Sequence, residues 1–193
     1  AWLNLGAACE SIGDMTGAVA AFEGALEVNP DYGKAWMNLG LLHGRHGRHE
    51  ASVQAFTRSV ELTPASGRLR VLLGLAQRCV GNEAAAIESF KAAIAAGDYA
   101  DKAWHNIGLV HADAGRHEAS IRALQSALAI HPDYAKVHLS MGRVLCAVDR
   151  SHEAVESFQR AAALRPELVD AYIELGRIHA ECGEYVKAIG AYG

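Results

Sequence analysis

Ten histidines and 22 carboxylates give this 193-residue chain ample material for metal binding or acid–base catalysis. The densest group is His43, His46 and His49, three imidazoles within seven residues. A zinc ion needs several ligands converging on one point. His43 falls on an apolar helical stripe while His46 and His49 cross the turn beyond it, so the three are expected to be structural and no metal is expected. No glycine-rich phosphate loop follows a strand, and no nucleophile stands in a G-x-S-x-G elbow. Glu50, Glu118 and Glu153 recur at helix starts, where a carboxylate complements the helix dipole. The chain therefore offers no catalytic residue and asks for no cofactor.

The four cysteines, Cys9, Cys79, Cys146 and Cys182, show no C-x-x-C pairing. Scattered thiols fit a reducing compartment, so an intracellular, cytoplasmic protein is expected. A formal charge of −4 lacks the basic excess that nucleic-acid binding requires. No apolar run approaches the roughly 20 residues of a membrane span, and no charged-then-apolar leader opens the chain. The chain opens on Ala1 without a methionine and stops at Gly193 partway through a repeat, so it reads as a fragment.

A fixed period dictates where every other side chain stands. Glycine falls at Gly6, Gly40, Gly74, Gly108, Gly142 and Gly176, at intervals of 34 without insertion or deletion. Ala18, Ser52, Ala86, Ser120, Ala154 and Ala188 follow twelve residues later, and Phe22, Phe56, Phe90, Leu124, Phe158 and Tyr192 four beyond those. With that glycine numbered position 8, apolar residues at positions 4, 7, 8 and 11 form one stripe of a helix with about 3.6 residues per turn, and positions 20, 24 and 27 form another. A second glycine, at Gly13, Gly47, Gly81, Gly115 and Gly183, sits where the first helix needs a left-handed cap; Asp149 replaces it once. Pro30, Pro64, Pro132 and Pro166 close the repeats, with Asp98 in place of the third. Position 11 carries His43, His111 and His179 in alternate repeats, and R-H-E-A-S recurs at Arg48 to Ser52 and Arg116 to Ser120, which suggests duplication of a two-repeat unit.

The W-x-N-L-G runs at Trp2 to Gly6 and Trp36 to Gly40, with A-x3-F and the closing proline, resemble the tetratricopeptide repeat signature over essentially the whole chain. The resemblance implies an all-α solenoid wound as a right-handed superhelix, with five full helix-turn-helix repeats and a truncated sixth. Their bounds are expected at 1–32, 33–66, 67–100, 101–134, 135–168 and 169–193, in a single domain. Arg70 and His138 stand where the family has Trp or Tyr, and are expected to loosen packing locally. Repeat three, with Arg70, Gln77 and Asp98, departs most.

A solenoid of such hairpins works through its concave face. The stripe of the first helix opposite the core, at positions 2, 5, 6, 9 and 12 or 13, is implied to line it. Position 2 reads Lys34, Arg68, Lys102 and Lys136, then reverses sign at Asp170. Position 6 supplies Asn4, Asn38, Asn106 and Ser140, side chains suited to an extended backbone. Met37, Leu41, Val71, Leu75, Leu109 and Leu139 are expected as an apolar floor, with His105 among them and Arg143 and Arg177 taking over at position 9. These residues predict a protein or peptide partner with acidic and apolar side chains, or a neighbouring subunit in a larger complex. An alternative is the substrate-recognition arm of a larger enzyme, because the position-6 asparagines resemble the ladder of O-linked N-acetylglucosamine transferases; Leu72, Ser140 and Glu174 interrupt it. A weaker alternative is a chaperone adaptor, whose carboxylate clamp no three consecutive repeats assemble.

Overall fold

The computed structural model describes residues 1–192, with the side chains of Tyr185, Ala191 and Tyr192 outside the described residues. The large residue expected at position 24 of the sixth repeat, Tyr192, is therefore among those left outside. Among the described residues every regular element is a helix. The chain divides into two compact units, Ala1–Ala100 and Asp101–Gly193. The first is built from α1 (Trp2–Ser11), α2 (Met15–Val28), α3 (Gly33–Arg45), α4 (His49–Leu62), α5 (Gly67–Cys79) and α6 (Glu83–Ala96). The second is built on α7 (Ala100–Asp113), α8 (His117–Ile130), α9 (Ala135–Ala147), α10 (Ser151–Leu164), α11 (Val169–Glu181) and α12 (Tyr185–Tyr192). Each unit is an α-solenoid of helical hairpins, the odd-numbered helix of each pair preceding its even-numbered partner.

The period of 34 has a steric cause. A Cβ added to Gly40 would lie 2.8 Å from the Phe56 ring, and one on Gly74 would lie 2.6 Å from the Phe90 ring. Position 8 must therefore be glycine because the large side chain at position 24 occupies the space a methyl group would need. Phe22, Phe56, Phe90, Leu124 and Phe158 are all buried. Where position 20 is serine, its hydroxyl is satisfied inside the same hairpin: Ser52 Oγ donates to the Gly40 carbonyl and Ser120 Oγ to that of Gly108, each at 2.7 Å.

Each hairpin turns on one backbone device. The second glycines take positive φ, 71° at Gly47 and 69° at Gly115, and Asp149 takes φ 59° in their place. This left-handed residue swings the amide at position 16 back to the carbonyl at position 11, as from Arg48 to His43 (2.9 Å) and from Arg150 to Leu145 (2.9 Å). The bond satisfies a carbonyl that the end of the helix leaves without an intrahelical partner.

The irregular residues of repeat three are all engaged. Trp36 Nε1 donates to the Pro30 carbonyl at 2.8 Å. Arg70 does the same to Pro64 through Nε (3.1 Å) and Nη2 (2.7 Å), and His138 Nε2 lies 2.8 Å from the Pro132 carbonyl. At Arg70 and His138, where looser packing was expected, a guanidinium or imidazole N–H thus takes the place of the indole N–H. Gln77 Oε1 accepts from Ser89 Oγ at 2.7 Å, and Asp98 Oδ1 accepts from the Gly67 amide at 2.7 Å, placing an anion on the first turn of α5. Around Asp98 the chain turns through positive φ at Gly97 (86°) and Tyr99 (62°), which does the work of the missing proline.

Candidate peptide-binding face

In the first unit, α1, α3 and α5 carry the residues expected to meet a ligand. Asn4, Lys34 and Arg68 are exposed, and Asn38 is half-buried. Among the described residues neither Lys34 nor Arg68 has an ion-pair partner, and the Asn38 amide has no hydrogen bond. A cleft of about 220 Å³ runs between α3, α4 and α5, the helices α3 and α5 being those that carry Lys34, Asn38 and Arg68, with Leu41, Phe56, Leu72, Leu75 and Ala76 in its walls. Met37 and Leu41 are partly buried because they pack on Phe56, Leu73 and Ala76, so position 5 and position 9 also join one hairpin to the next. Val71 goes further: only 6% exposed, it belongs to the packing between helices and leaves the floor to Leu41, Leu72 and Leu75. Arg45, at position 13 on the wall of the cleft, is held by an ion pair with Glu10.

The corresponding face of the second unit, on α7, α9 and α11, is organised differently. Lys102 and Lys136 are exposed and Leu109 is half-buried. The Asn106 side-chain amide donates to the Lys102 carbonyl at 2.8 Å, within its own helix. Leu139 is 6% exposed and His105 9% exposed, so both lie in the packing. Ser140 Oγ donates its one proton to the Lys136 carbonyl at 3.0 Å, so the 3.0 Å contact to His105 Nε2 requires that nitrogen to carry the proton. The His105 ring also meets Tyr134 edge-on at 5.4 Å.

Arg143 and Arg177 are not open cations. Arg143 donates to Glu174 at 2.8 Å and to Asp170 at 3.3 Å; Arg177 donates to Glu174 at 2.9 Å and to Glu181 at 2.8 Å. Burial pushes the Glu174 carboxyl up, but the hydrogen bonds from Arg143 and Arg177 outweigh it and hold the group below its ordinary value. The reversal of sign at Asp170 is therefore taken up by Arg143 within the array.

The sequence stripe took in Arg45 and Leu72 by position, at 13 and 6, without naming either as a contact, and missed the wall at Phe56, whose position 24 read as core; the large apolar residue at position 6 of repeat three was the available signal, since it replaces an amide with a surface for apolar contact. Among the described residues no group of three or more His, Cys, Asp or Glu side chains is placed to hold a metal, and no helix is long and apolar enough to cross a membrane.

Comparison with curated proteins gave no match. Among solved structures the chain is similar to MamA at 24% identity, covering 86% of this chain and 91% of that one with a TM-score of 0.73. It is similar to PilW, a widely conserved type IV pilus biogenesis factor, at 18% identity over 98% of this chain and 88% of that one, TM-score 0.84. YrrB, described as a TPR protein with an unusual peptide-binding site, matches at 16% identity over 94% and 90%, TM-score 0.67. At these identities the likeness is one of fold. Two family models, both described as tetratricopeptide repeat, match residues 11–67 and 99–167. With the glycine-to-phenylalanine hairpins at the same spacing in both units, the chain belongs to the tetratricopeptide repeat family.

Proposed function

We propose that this chain is a non-catalytic interaction scaffold whose odd-numbered helices in the first unit bind an extended segment of a partner protein, either a free ligand or a neighbour in a larger assembly. An apolar side chain of the segment enters the cleft at Leu41, Leu72 and Leu75, and acidic side chains meet Lys34 and Arg68. The observation that carries this reading is the uncommitted capacity of α3 and α5: among the described residues, two cations without an ion-pair partner and a half-buried amide without a hydrogen bond, on the same two helices that wall an apolar cleft. A half-buried amide gains most from a backbone that supplies both donor and acceptor. The second unit favours no equal role for Arg143 and Arg177, since its carboxylates already hold them. The peptide site described for YrrB accords with binding by this fold.

The partner is recovered by crosslinking and pull-down with the full chain, and its affinity is then measured for the Lys34→Glu, Arg68→Glu double variant. Affinity should fall by about tenfold or more at low salt, and the deficit should shrink as ionic strength rises. Leu75→Asp should abolish binding with helicity retained. Unchanged affinity in both variants would remove the first unit from the interaction.

A further inference from the structure

A cavity of about 380 Å³ opens between α2, α3 and α4, on a side of α3 other than the one that bears Lys34 and Asn38. Leu26, Leu39 and Ala55 make its floor and are 9%, 4% and 3% exposed. The Trp36 ring stands in its wall, pinned by the bond from Nε1 to the Pro30 carbonyl. Glu23 and Glu27, one turn apart on α2, stand at its rim together with Gln54. Both carboxylates are exposed, and among the described residues neither has an ion-pair partner. Arg48 lines a neighbouring hollow with Glu23 but forms no ion pair with it.

Packing alone does not ask for this arrangement. The position of Glu27 is Ala95, Ala129 and Ala163 in repeats three to five, and the position of Glu23 is Thr57, Lys91, Gln125 and Gln159 in repeats two to five. The other carboxylate at the position of Glu27 is Glu61, and it is ion-paired with Arg58 at 2.6 Å. Two like charges four residues apart on one helix face repel each other and weaken the helix. Here they stand over an apolar floor and an aromatic ring, and among the described residues no cation is ion-paired with either.

We infer that this cavity receives the basic side chain, arginine or lysine, of a partner protein. The aliphatic stem lies on Leu26, Leu39 and Ala55, and the charged head sits between Glu23 and Glu27 over the Trp36 ring. Charge complementarity selects the head, since a guanidinium or ammonium bonds carboxylates strongly and is attracted to an indole face. The floor selects a side chain with a long apolar stem under its charge. His43, the remaining polar group of the α3 wall, is held neutral by its burial and by Arg48 at pH 7, so it adds no competing charge. This site is independent of the face proposed above, and either can fail without the other.

The test uses the full chain, isotopically labelled, and two blocked pentapeptides that differ only at the centre: arginine, or its neutral isostere citrulline. Amide and indole resonances are followed by NMR during titration to millimolar peptide. The arginine peptide should shift the Trp36 indole and the amides of α2 saturably, with the citrulline peptide about tenfold weaker or more. Glu23→Gln and Glu27→Gln should each weaken the arginine peptide severalfold without lowering the melting temperature of the chain, since either change relieves the repulsion on α2. Equal binding of the two peptides, absence of any shift at α2, or shifts confined to the Lys34 and Arg68 face would overturn the assignment. A Glu23→Gln, Glu27→Gln chain that binds the arginine peptide as tightly as the parent would do the same.

Discussion

Nδ1 of His43 is buried and has no hydrogen-bond partner among the described residues. Burial and the nearby Arg48 lower the pKa of this imidazole from the ordinary 6.5, with Glu23 opposing and His46 adding to the shift. The unfolded chain therefore takes up this proton at a higher pH than the folded one. The associated stability is complete above 6.5 and is lost as the pH falls through the lower value of the folded state. Thermal melts between pH 7.5 and 5 should show the parent losing ground to His43→Gln as the solution is acidified. A constant gap between the two would mean that another group governs the response. The sequence placed this histidine on an apolar stripe, and its period showed that. The orphaned ring nitrogen was not legible, because it depends on what α2 and the turn at Arg48 bring against the ring.

The turn and the hairpin contact were open to reading from sequence because each is local: a left-handed residue at position 15, Asp149 included, and a glycine facing a large apolar residue sixteen residues later. The junction between hairpins was less so. Arg70 breaks the aromatic pattern, yet its guanidinium reaches the same carbonyl that Trp36 reaches in the preceding repeat. Residue type reports volume, and here the shared property is an N–H at a given distance. Val71 and Leu139 were expected on the floor of a groove but are buried, because the angle between successive hairpins decides which edge of a helix is covered, and the period does not encode that angle. At the junction before α5, Arg70→Leu removes the donor and should cost about 0.5–1.5 kcal/mol, while Arg70→Trp restores it. Urea denaturation of the two variants checks this; equal losses would assign the effect to the arginine stem instead.

Among the described residues each unit holds hydrophobic clusters of its own. The first unit has one cluster around Phe22, Leu39 and Leu42 and another around Phe56 and Leu73, while the second has a cluster around Leu124, Val137 and Phe158. In repeat proteins stability comes from each hairpin and its neighbours, so a unit with its own clusters should stand alone. Residues 1–100 expressed without the remainder should give a helical circular dichroism spectrum and a cooperative melt. A broad, non-cooperative transition would show that these clusters are insufficient. The bond from position 4 to the carbonyl of the preceding proline bears on how such arrays diverge. Indole, guanidinium and imidazole all make it in this one chain, so three chemically unlike side chains meet one donor geometry. Repeats that have drifted beyond the aromatic signature are then better sought by a side-chain N–H six residues after the proline, and a copy that uses histidine there brings a titratable group to a joint where tryptophan has none.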